Sequence, residues 1–233
     1  MRIKNSRESN SPPFQDSPGR AGAQETRQDG AAVEAVIFPD APALQERSLD
    51  AWRRLCLTCR RCSLRQEAKG VVFGEGNPRA QILFVGEGPG GEEDKLGRPF
   101  VGAAGQLLDR ILAAANLARE EVYIANVVKC RPPGNRQPRK EEIEACLPLL
   151  QRQIELIDPA IIVCLGAVAS RALIRPDFPI TRERGCWQEL DNRMLMPTFH
   201  PAALLRDPGK KKAVWEDIQL VVKLYTQICG EES

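Results

Sequence analysis

The chain has 233 residues, of which 42% are hydrophobic and 27% charged, a composition typical of a globular protein. Lys and Arg total 33 against 31 Asp and Glu, so the net charge of +2 excludes a general polycation, and any nucleic-acid surface must be local. No apolar run approaches the roughly 20 residues that span a membrane, and the polar start from Met1 to Arg7 is unlike a secretion signal. We therefore expect a cytoplasmic protein, whose eight cysteines are better explained by metal binding or catalysis than by disulfide bonds.

Residues 1–42 are rich in Pro, Ser, Gly, Gln and charged residues, and they lack apolar periodicity. Their positive and negative charges nearly cancel, which is unlike a basic arm that binds nucleic acid. We interpret this segment as a disordered tail in front of a single domain at residues 43–230.

The domain begins with apolar residues at roughly helical spacing, from Leu44 to Leu55, which lead into a cysteine-rich loop. Four short apolar runs then predict buried strands, at residues 81–86, 122–127, 160–165 and 194–199. Longer helical patterns lie between and after these runs, at residues 103–117, 139–157, 167–174 and 211–228. Strands that alternate with helices predict an α/β domain with a parallel sheet covered on both faces.

Ligands of such sheets bind beyond the carboxyl ends of the strands, so a site is expected in the segments that follow the four predicted strands. Polar or glycine-rich sequence follows each strand there, at Gly86–Gly90, Asn126–Cys130, Gly166–Ala167 and His200–Pro201.

The loop Gly86–Gly91 has the spacing G-x-G-x-x-G, which is typical of dinucleotide-binding turns. Glu92, Glu93 and Asp94 follow at once, where a pyrophosphate needs a helix N-terminus free of negative charge. The pattern also predicts no helix before about Ala103, so we reject a dinucleotide site. The glycines either let the backbone approach a small planar ligand or form only a structural turn, and both interpretations stay open.

Cys59 and Cys62 form a C-x-x-C pair, and Cys130 and Cys146 lie on the segment after the second predicted strand. Four thiolates gathered from two segments can hold tetrahedral zinc or an iron–sulfur cluster. Zinc sites usually have two tight pairs, so the single pair here favours an iron–sulfur cluster. Cys56 forms an equally good pair with Cys59, and an alternative is that Cys146 is only a buried helix residue and Cys130 an idle thiol.

Two basic clusters, residues 131–140 and Lys210–Lys212, flank the predicted strand ends, where both could contact phosphates. The only histidine, His200, lies at the same rim, and its spacing does not distinguish a catalytic residue from a hydrogen-bonded loop residue. The amide of Asn126 supplies both the donor and the acceptor that reading a nucleobase edge requires. Phe100 fits either the core or a stacking platform.

Four of these segments together resemble the motifs of family 4 uracil-DNA glycosylases, the iron–sulfur type found in bacteria and archaea: Gly86–Gly90, Gly97–Gly102, Asn126–Asn135 and His200–Arg206. The match runs in order from about Cys59 to Ile228. It implies a four-stranded parallel sheet flanked by helices. It also implies a hydrolase that breaks the N-glycosidic bond of uracil in single- or double-stranded DNA, the first step of base excision repair. We expect this enzyme to be a monomer.

The resemblance also implies roles for individual residues in binding. A 4Fe-4S cluster would be held by Cys59, Cys62, Cys130 and Cys146, with Cys59 preferred to Cys56 because Cys62-Ser63-Leu64 fits the family's Cys-Pro-Leu. A uracil flipped out of the helix would stack on Phe100 and present its polar edge to Asn126. The backbone around Glu87 and Gly88 would approach the base closely.

For catalysis, the resemblance puts His200 near the uracil O2, where negative charge develops as the bond breaks. A carboxylate would assist the attacking water on the other side of the sugar, and Glu87 and Glu93 are both candidates. DNA contacts are expected from Arg131, Arg136, Leu204, Leu205, Arg206 and Lys211. Either leucine could wedge into the gap that the flipped base leaves, and the other would be the buried face of a short helix.

The chain departs from the family pattern in two places, since Gly91 stands where a glutamate is usual and Ser63 where a proline is usual. A related branch bonds covalently to uracil through a basic insertion between the first two motifs, and Asp94–Gly97 leaves no room for one. This favours turnover over the alternative, a protein that binds or crosslinks uracil-DNA without releasing the base. An iron–sulfur electron carrier is disfavoured, because no C-x2-C-x2-C run is present.

Overall fold

The computed structural model describes residues 48–230, and the predicted tail at residues 1–42 lies outside them. Within this part of the chain six strands form one sheet: β1 (Glu75–Gly76), β2 (Ile82–Gly86), β3 (Tyr123–Asn126), β4 (Ile161–Leu165), β5 (Gln188–Leu190) and β6 (Arg193–Thr198). Their order across the sheet is β1-β3-β2-β4-β6-β5.

The four predicted strands form the centre of this sheet, paired in parallel in the order β3-β2-β4-β6. The α/β prediction is therefore confirmed, and the structure corrects the sheet at its two edges, where β1 and β5 pair antiparallel. β1 has only two residues, and β5 is a half-exposed strand joined to β6 by a turn at Asp191 and Asn192. Neither edge strand carries a buried apolar run, so the pattern that revealed the central strands was absent there.

The strands are connected and flanked by nine helices within the described residues: α1 (Leu49–Leu57), α2 (Leu64–Glu67), α3 (Gly91–Leu96), α4 (Ala103–Ala114), α5 (Lys140–Ile157), α6 (Ala167–Leu173), α7 (Ile180–Glu183), α8 (Pro201–Arg206) and α9 (Lys211–Gly230). The four predicted helices correspond to α4, α5, α6 and α9, with ends that differ by three residues or fewer. None of the helices in this part of the chain is both long enough and apolar enough to cross a membrane.

Helix α3 corrects the expectation that no helix begins before about Ala103. It starts directly after Gly90, and Glu92, Glu93 and Asp94 occupy its first turn. Carboxylates are favourable there because the N-terminal end of a helix carries partial positive charge. These carboxylates still disfavour a dinucleotide, because their negative charge would repel a pyrophosphate at this helix N-terminus.

The hydrophobic core has two layers, one on each face of the sheet, because alternate residues of a strand point to opposite faces. On β2, Leu83 and Val85 belong to the layer that Trp52 of α1 shares with residues of α5. Ile82 and Phe84 belong to the other layer, which includes residues of α4 and α9. Because helices cover both faces, all five residues of β2 are buried, as in most parallel sheets.

A buried ion pair fixes the carboxyl end of β6. The carboxylate of Asp217, on α9, is only 1% exposed and accepts hydrogen bonds from the Thr198 hydroxyl at 2.5 Å and from Arg184 Nε at 2.9 Å. Burial raises the pKa of Asp217, and the hydrogen bonds from Arg184 and Thr198 oppose that rise. Since Thr198 ends β6 two residues before His200, this network holds the base of the loop that carries the histidine.

Asp217→Asn should lower the free energy of unfolding by about 3 kcal/mol, because it leaves the Arg184 guanidinium without its buried counter-charge. Asp177→Asn is the control, since Asp177 pairs with Arg175 at 3.2 Å through a side chain that is 84% exposed. The control should cost less than about 1 kcal/mol. Urea denaturation measures both, and equal effects would show that the buried pair does not stabilise the fold.

Candidate active site and cysteine cavity

A cleft of about 740 Å³ opens at the carboxyl ends of the central strands. Its lining includes Glu87 after β2, Asn126 at the end of β3 and His200 after β6, together with Phe100. Three of the four predicted segments therefore meet at this edge, as parallel pairing requires. Gly166 of the fourth segment packs behind the site, where a Cβ atom would lie 2.9 Å from the Cβ atom of His200.

Phe100 forms an aromatic wall of the cleft beside His200, with ring centroids 5.5 Å apart and planes inclined by 30°. Its backbone has a φ of +52°, a left-handed conformation that is uncommon for a bulky residue. Arg119 secures the loop by donating hydrogen bonds to the carbonyl oxygens of Phe100 at 3.3 Å and Pro99 at 2.6 Å. Gly105 of α4 packs on the Phe100 backbone so closely that a Cβ atom there would overlap it.

Asn126 lies in the floor of the cleft with only 1% of its surface exposed. Its Oδ1 atom has no hydrogen-bond partner within residues 48–230. Gly86 pairs with Asn126 where the parallel strands β2 and β3 end. Only a glycine leaves space for the Asn126 side chain here, because a Cβ atom at Gly86 would lie 2.5 Å from Asn126 Oδ1. A buried acceptor without a partner costs roughly 1–3 kcal/mol, which a ligand that donates an N–H group to it would recover.

His200 precedes helix α8, and its Nδ1 atom accepts a hydrogen bond from the backbone N–H of Ala202 at 3.1 Å. The ring proton is therefore on Nε2, which can donate to a ligand oxygen. Burial and, to a smaller extent, the positive charge of Arg206 lower the pKa of His200 to about 4, although the charge of Glu93 opposes the shift. The imidazole is consequently neutral at neutral pH.

The two candidate carboxylates differ in their hydrogen bonds. Glu93 is buried, and its Oε1 atom accepts from the backbone N–H groups of Val101 at 3.0 Å and Gly102 at 2.8 Å, which holds the Phe100 loop to the start of α4. The carboxylate of Glu87 has no hydrogen bond within the described residues. Burial raises its pKa, and the charge of Arg206 opposes that rise. Glu87 is therefore the carboxylate that remains available in the cleft.

The predicted DNA-contacting residues have different surroundings. Leu204 is 2% exposed and packs in the core, so the structure corrects the expectation that it contacts DNA, whereas Leu205 is 46% exposed. Arg206 lines the cleft, and Lys211 is exposed at the start of α9.

Arg131 donates from Nε to the side chain of Asn135 at 2.8 Å. Arg136, the remaining predicted contact, lines the cleft but is also paired with Glu142.

The four predicted cluster ligands line a second, small cavity: Cys59, Cys62, Cys130 and Cys146. Burial raises the pKa of the Cys130 and Cys146 thiols to about 12. Cys56 is fully buried in the core on α1 and does not belong to the lining of this cavity. No three cysteine, histidine or carboxylate side chains in the described part of the chain converge closely enough to hold a single metal ion.

Comparisons with known proteins identify the family. A sequence profile described as the uracil DNA glycosylase superfamily matches residues 73–219, more than half of the chain. The chain is 49% identical to a type-4 uracil-DNA glycosylase of Thermotoga maritima, over 69% of this chain and 86% of that protein. The type-4 enzyme of Sulfurisphaera tokodaii is 44% identical, over 76% of this chain and 84% of that protein. The type-4 enzyme of Archaeoglobus fulgidus is 42% identical, over 79% of this chain and 95% of that protein. This chain belongs to the type-4 uracil-DNA glycosylases.

The resemblance seen in four sequence motifs is thereby confirmed, but it did not reveal how this type-4 glycosylase holds its motifs in place. Arg119 lies outside any motif, and nothing in its spacing indicates that it secures the Phe100 loop. Glu142 was also missed, although an acidic residue in the first turn of a predicted helix is a known signal for a cap.

Glu142 connects the cysteine loop with the basic loop of this type-4 glycosylase. Its buried carboxylate accepts from the Arg136 guanidinium at 2.7 and 2.8 Å, from the backbone N–H of Arg139 at 2.7 Å and from the hydroxyl of Ser63 at 3.2 Å. Ser63 directly follows Cys62, so the serine that replaces the family's proline supplies one of these hydrogen bonds. The hydrogen bonds from Arg136 are the main reason that the pKa of Glu142 falls to about 2.

Because this pKa is depressed from 4.5, the ionised Glu142 stabilises the fold fully above about pH 4.5, and that contribution is lost as the pH falls toward 2. Glu142→Gln should therefore be less stable at neutral pH and should lose less stability than the original chain between pH 4.5 and 2. Thermal unfolding at a series of pH values measures this. Glu144→Gln, which alters an exposed pair with Lys140, is the control and should leave the pH profile unchanged. Parallel profiles for all three proteins would contradict the assignment.

Proposed function

We propose that this chain hydrolyses the N-glycosidic bond of uracil in DNA through the cleft between Asn126, Phe100 and His200, releasing free uracil and leaving an abasic site. The observation that carries this proposal is the buried Oδ1 atom of Asn126, which has no hydrogen-bond partner within residues 48–230. Uracil presents an N–H donor at N3 beside an acceptor at O4, and a side-chain amide offers the matching acceptor and donor. Cytosine presents the opposite pattern, so the same amide supports selection of uracil.

A base within a duplex cannot reach this cleft unless it is flipped out of the stack. The aromatic face of Phe100 then receives the pyrimidine ring, while Glu87 and Gly88 line the same cleft. Leu205 is exposed beside the cleft and is suited to fill the gap in the stack. The positive charges of Arg131, Arg206 and Lys211 support contacts with phosphates on either strand type.

Bond cleavage moves the electron pair of the glycosidic bond onto the base, so negative charge develops at uracil N1 and O2. The neutral His200 donates from Nε2 to O2 without giving up its proton, which stabilises the departing anion. Positive charge develops on the sugar at the same time, and the Glu87 carboxylate is available to stabilise it. Water then adds to the sugar C1′ atom, and its proton passes to Glu87. Glu87 releases this proton to solvent, and the uracil anion takes up one proton from solvent.

Turnover is favoured over a protein that holds or crosslinks uracil-DNA. Helix α3 ends at Leu96, and Gly97 leads directly into the Phe100 loop, so the chain has no basic insertion at this point. Three relatives at 42–49% identity over 69–79% of this chain are named as type-4 uracil-DNA glycosylases. The monomeric state and the cytoplasmic location of the enzyme stay predictions.

We also propose that Cys59, Cys62, Cys130 and Cys146 hold a 4Fe-4S cluster. These four thiols come from two distant segments of the chain and line one cavity, as the ligands of such a cluster must. The backbone N–H of Lys129 donates to Cys146 Sγ at 3.3 Å, the kind of bond that orients a ligand sulfur. When bound, the cluster supplies a covalent tie between the cysteine pair and the loop that carries Arg131.

His200→Ala should lower the single-turnover rate of uracil release by roughly 10²–10³-fold, because it removes one donor to the developing anion. Its affinity for abasic product DNA should change little, since that contact strengthens only in the transition state.

Asn126→Asp should weaken uracil capture and admit cytosine, because the new oxygen accepts from the cytosine amine. Alkali cleavage of uracil- and cytosine-containing strands measures both rates.

The control for these two variants is Lys211→Ala, which should weaken DNA binding and flatten its salt dependence without changing the rate at saturation. A His200→Ala enzyme with the full single-turnover rate would show that the histidine is structural. If the original chain binds uracil-DNA but leaves the strands intact after alkali, the chain binds without turnover.

The protein purified without oxygen should be brown and contain about four irons per chain. Cys59→Ser should lose iron, whereas Cys56→Ser should retain it, because only Cys59 lines the cavity. Iron analysis and the visible absorption spectrum measure both. Stoichiometric zinc in the original chain, or equal loss of iron from the two variants, would contradict the assignment.

A further inference from the structure

A lysine is enclosed beside the cysteine cavity. Lys129 is 1% exposed, and it lines this cavity together with the four cysteines. Its Nζ atom donates to Gln153 Oε1 at 2.6 Å and lies 5.9 Å from the centre of the Phe73 ring. Gln153 is itself buried, and its Nε2 atom donates to the Phe73 carbonyl oxygen at 3.2 Å and to the Tyr123 hydroxyl at 3.1 Å. The environment of the ammonium group is therefore closed to water.

The partners of this ammonium group are electrically neutral. Within the described residues, no carboxylate forms an ion pair with Lys129, and its hydrogen-bond acceptor, Gln153, is an amide. Burying a charge without a counter-charge costs several kcal/mol, so proteins rarely keep a lysine in such a place without a reason. The cleft does not supply that reason, because Lys129 does not line it.

The cysteines supply the missing negative charge. Lys129 shares the cavity with the four proposed ligands, and its own backbone N–H donates to Cys146 Sγ at 3.3 Å. A cysteine must lose its proton to bind iron, so four ligating cysteines bring four negative charges to the cavity. An iron–sulfur cluster held in this way keeps a net negative charge, and it would lie in the cavity that Lys129 lines.

We propose that Lys129 is the counter-charge of the bound cluster, and that its ammonium group both retains the cluster and raises its reduction potential. The proposal rests on the four-cysteine site given above. Net charge and hydrogen bonds around the sulfurs tune such clusters, and Lys129 contributes one of each through its side chain and its backbone. The role of Gln153 is to hold the ammonium group in position without neutralising it.

Two variants test the charge separately from the packing. Lys129→Met removes the charge while keeping an unbranched side chain of similar length. Gln153→Glu has nearly the same shape as the original residue and gives Lys129 a competing carboxylate, so the lysine stays but its charge is no longer available to the cluster. Arg65→Met is the matched control, because Arg65 is a cation that lines the same cavity but is partly exposed, where solvent screens its charge.

The experiment uses the full chain purified without oxygen. A redox titration followed by electron paramagnetic resonance gives the potential, and transfer of iron to a chelator gives the rate of cluster loss. Lys129→Met and Gln153→Glu should both shift the potential to more negative values and release iron roughly 10–100-fold faster, the usual effect of losing a group that supports a metal ligand. Arg65→Met should stay near the original chain in both measurements.

Two results would overturn the proposal: one rejects only the role of Lys129, and the other also rejects the cluster site. If the original chain holds four irons but Gln153→Glu keeps its potential and its rate of iron release, Lys129 is not the counter-charge and the four-cysteine site stands. If the original chain purifies without iron, the cluster assignment fails as well. Gln153→Glu decides the question even if Lys129→Met does not fold, because it keeps the volume of the side chain. It loses the hydrogen bond to the Phe73 carbonyl oxygen, whereas the Tyr123 hydroxyl can donate to the new carboxylate.

Discussion

Parallel pairing of buried strands determines where this protein can bind a ligand, because it brings the carboxyl ends of β2, β3, β4 and β6 to one edge of the sheet. The register places Gly86 directly beside Asn126, and the glycine leaves the space that the amide occupies. Thr198 pairs with Leu165 at the end of β4, and His200 follows two residues later. The arrangement of Asn126 and His200 in the cleft therefore depends on a sheet whose strands are held by buried apolar side chains, and any shift in register would separate them.

The polar side chains around the cleft fall into two groups, those whose hydrogen bonds hold a loop in place and those left free to bind a ligand. Glu93 and Glu142 are buried carboxylates whose oxygens accept backbone or guanidinium hydrogen bonds, so each holds a loop in place. Glu87 has no such bond within the described residues, and neither has the Oδ1 atom of Asn126. A buried polar atom that the fold does not satisfy is costly, and it is retained where a ligand satisfies it. The Nε2–H group of His200 is available for the same reason, since Nδ1 is occupied by a backbone N–H.

One short segment links the cleft to the cysteine cavity. Asn126 lies at the floor of the cleft, and within four residues the chain contributes Lys129 and Cys130 to the cavity. Arg136 then lines the cleft and pairs with Glu142, the carboxylate that also accepts from Ser63 in the cysteine loop. The cavity and the cleft are therefore mechanically connected, and a cluster that fixes the four cysteines would also fix the basic loop against which DNA is expected to lie.

The amino-acid sequence by itself determined the four central strands, the longer helices and the order of the motifs, because these depend on local apolar patterns and on residue types at fixed spacing. It did not determine the antiparallel edges, helix α3, the different hydrogen bonding of Glu87 and Glu93, or which of Leu204 and Leu205 is exposed. Each of these was decided by contacts between residues far apart in the chain, or by the direction a helix faces after packing. The enclosure of Lys129 is the clearest example: its surroundings include Gln153, 24 residues away, and Phe73 on a different segment. A lysine that closely precedes a basic cluster gives no local sign of being buried, and only tertiary packing removes it from water.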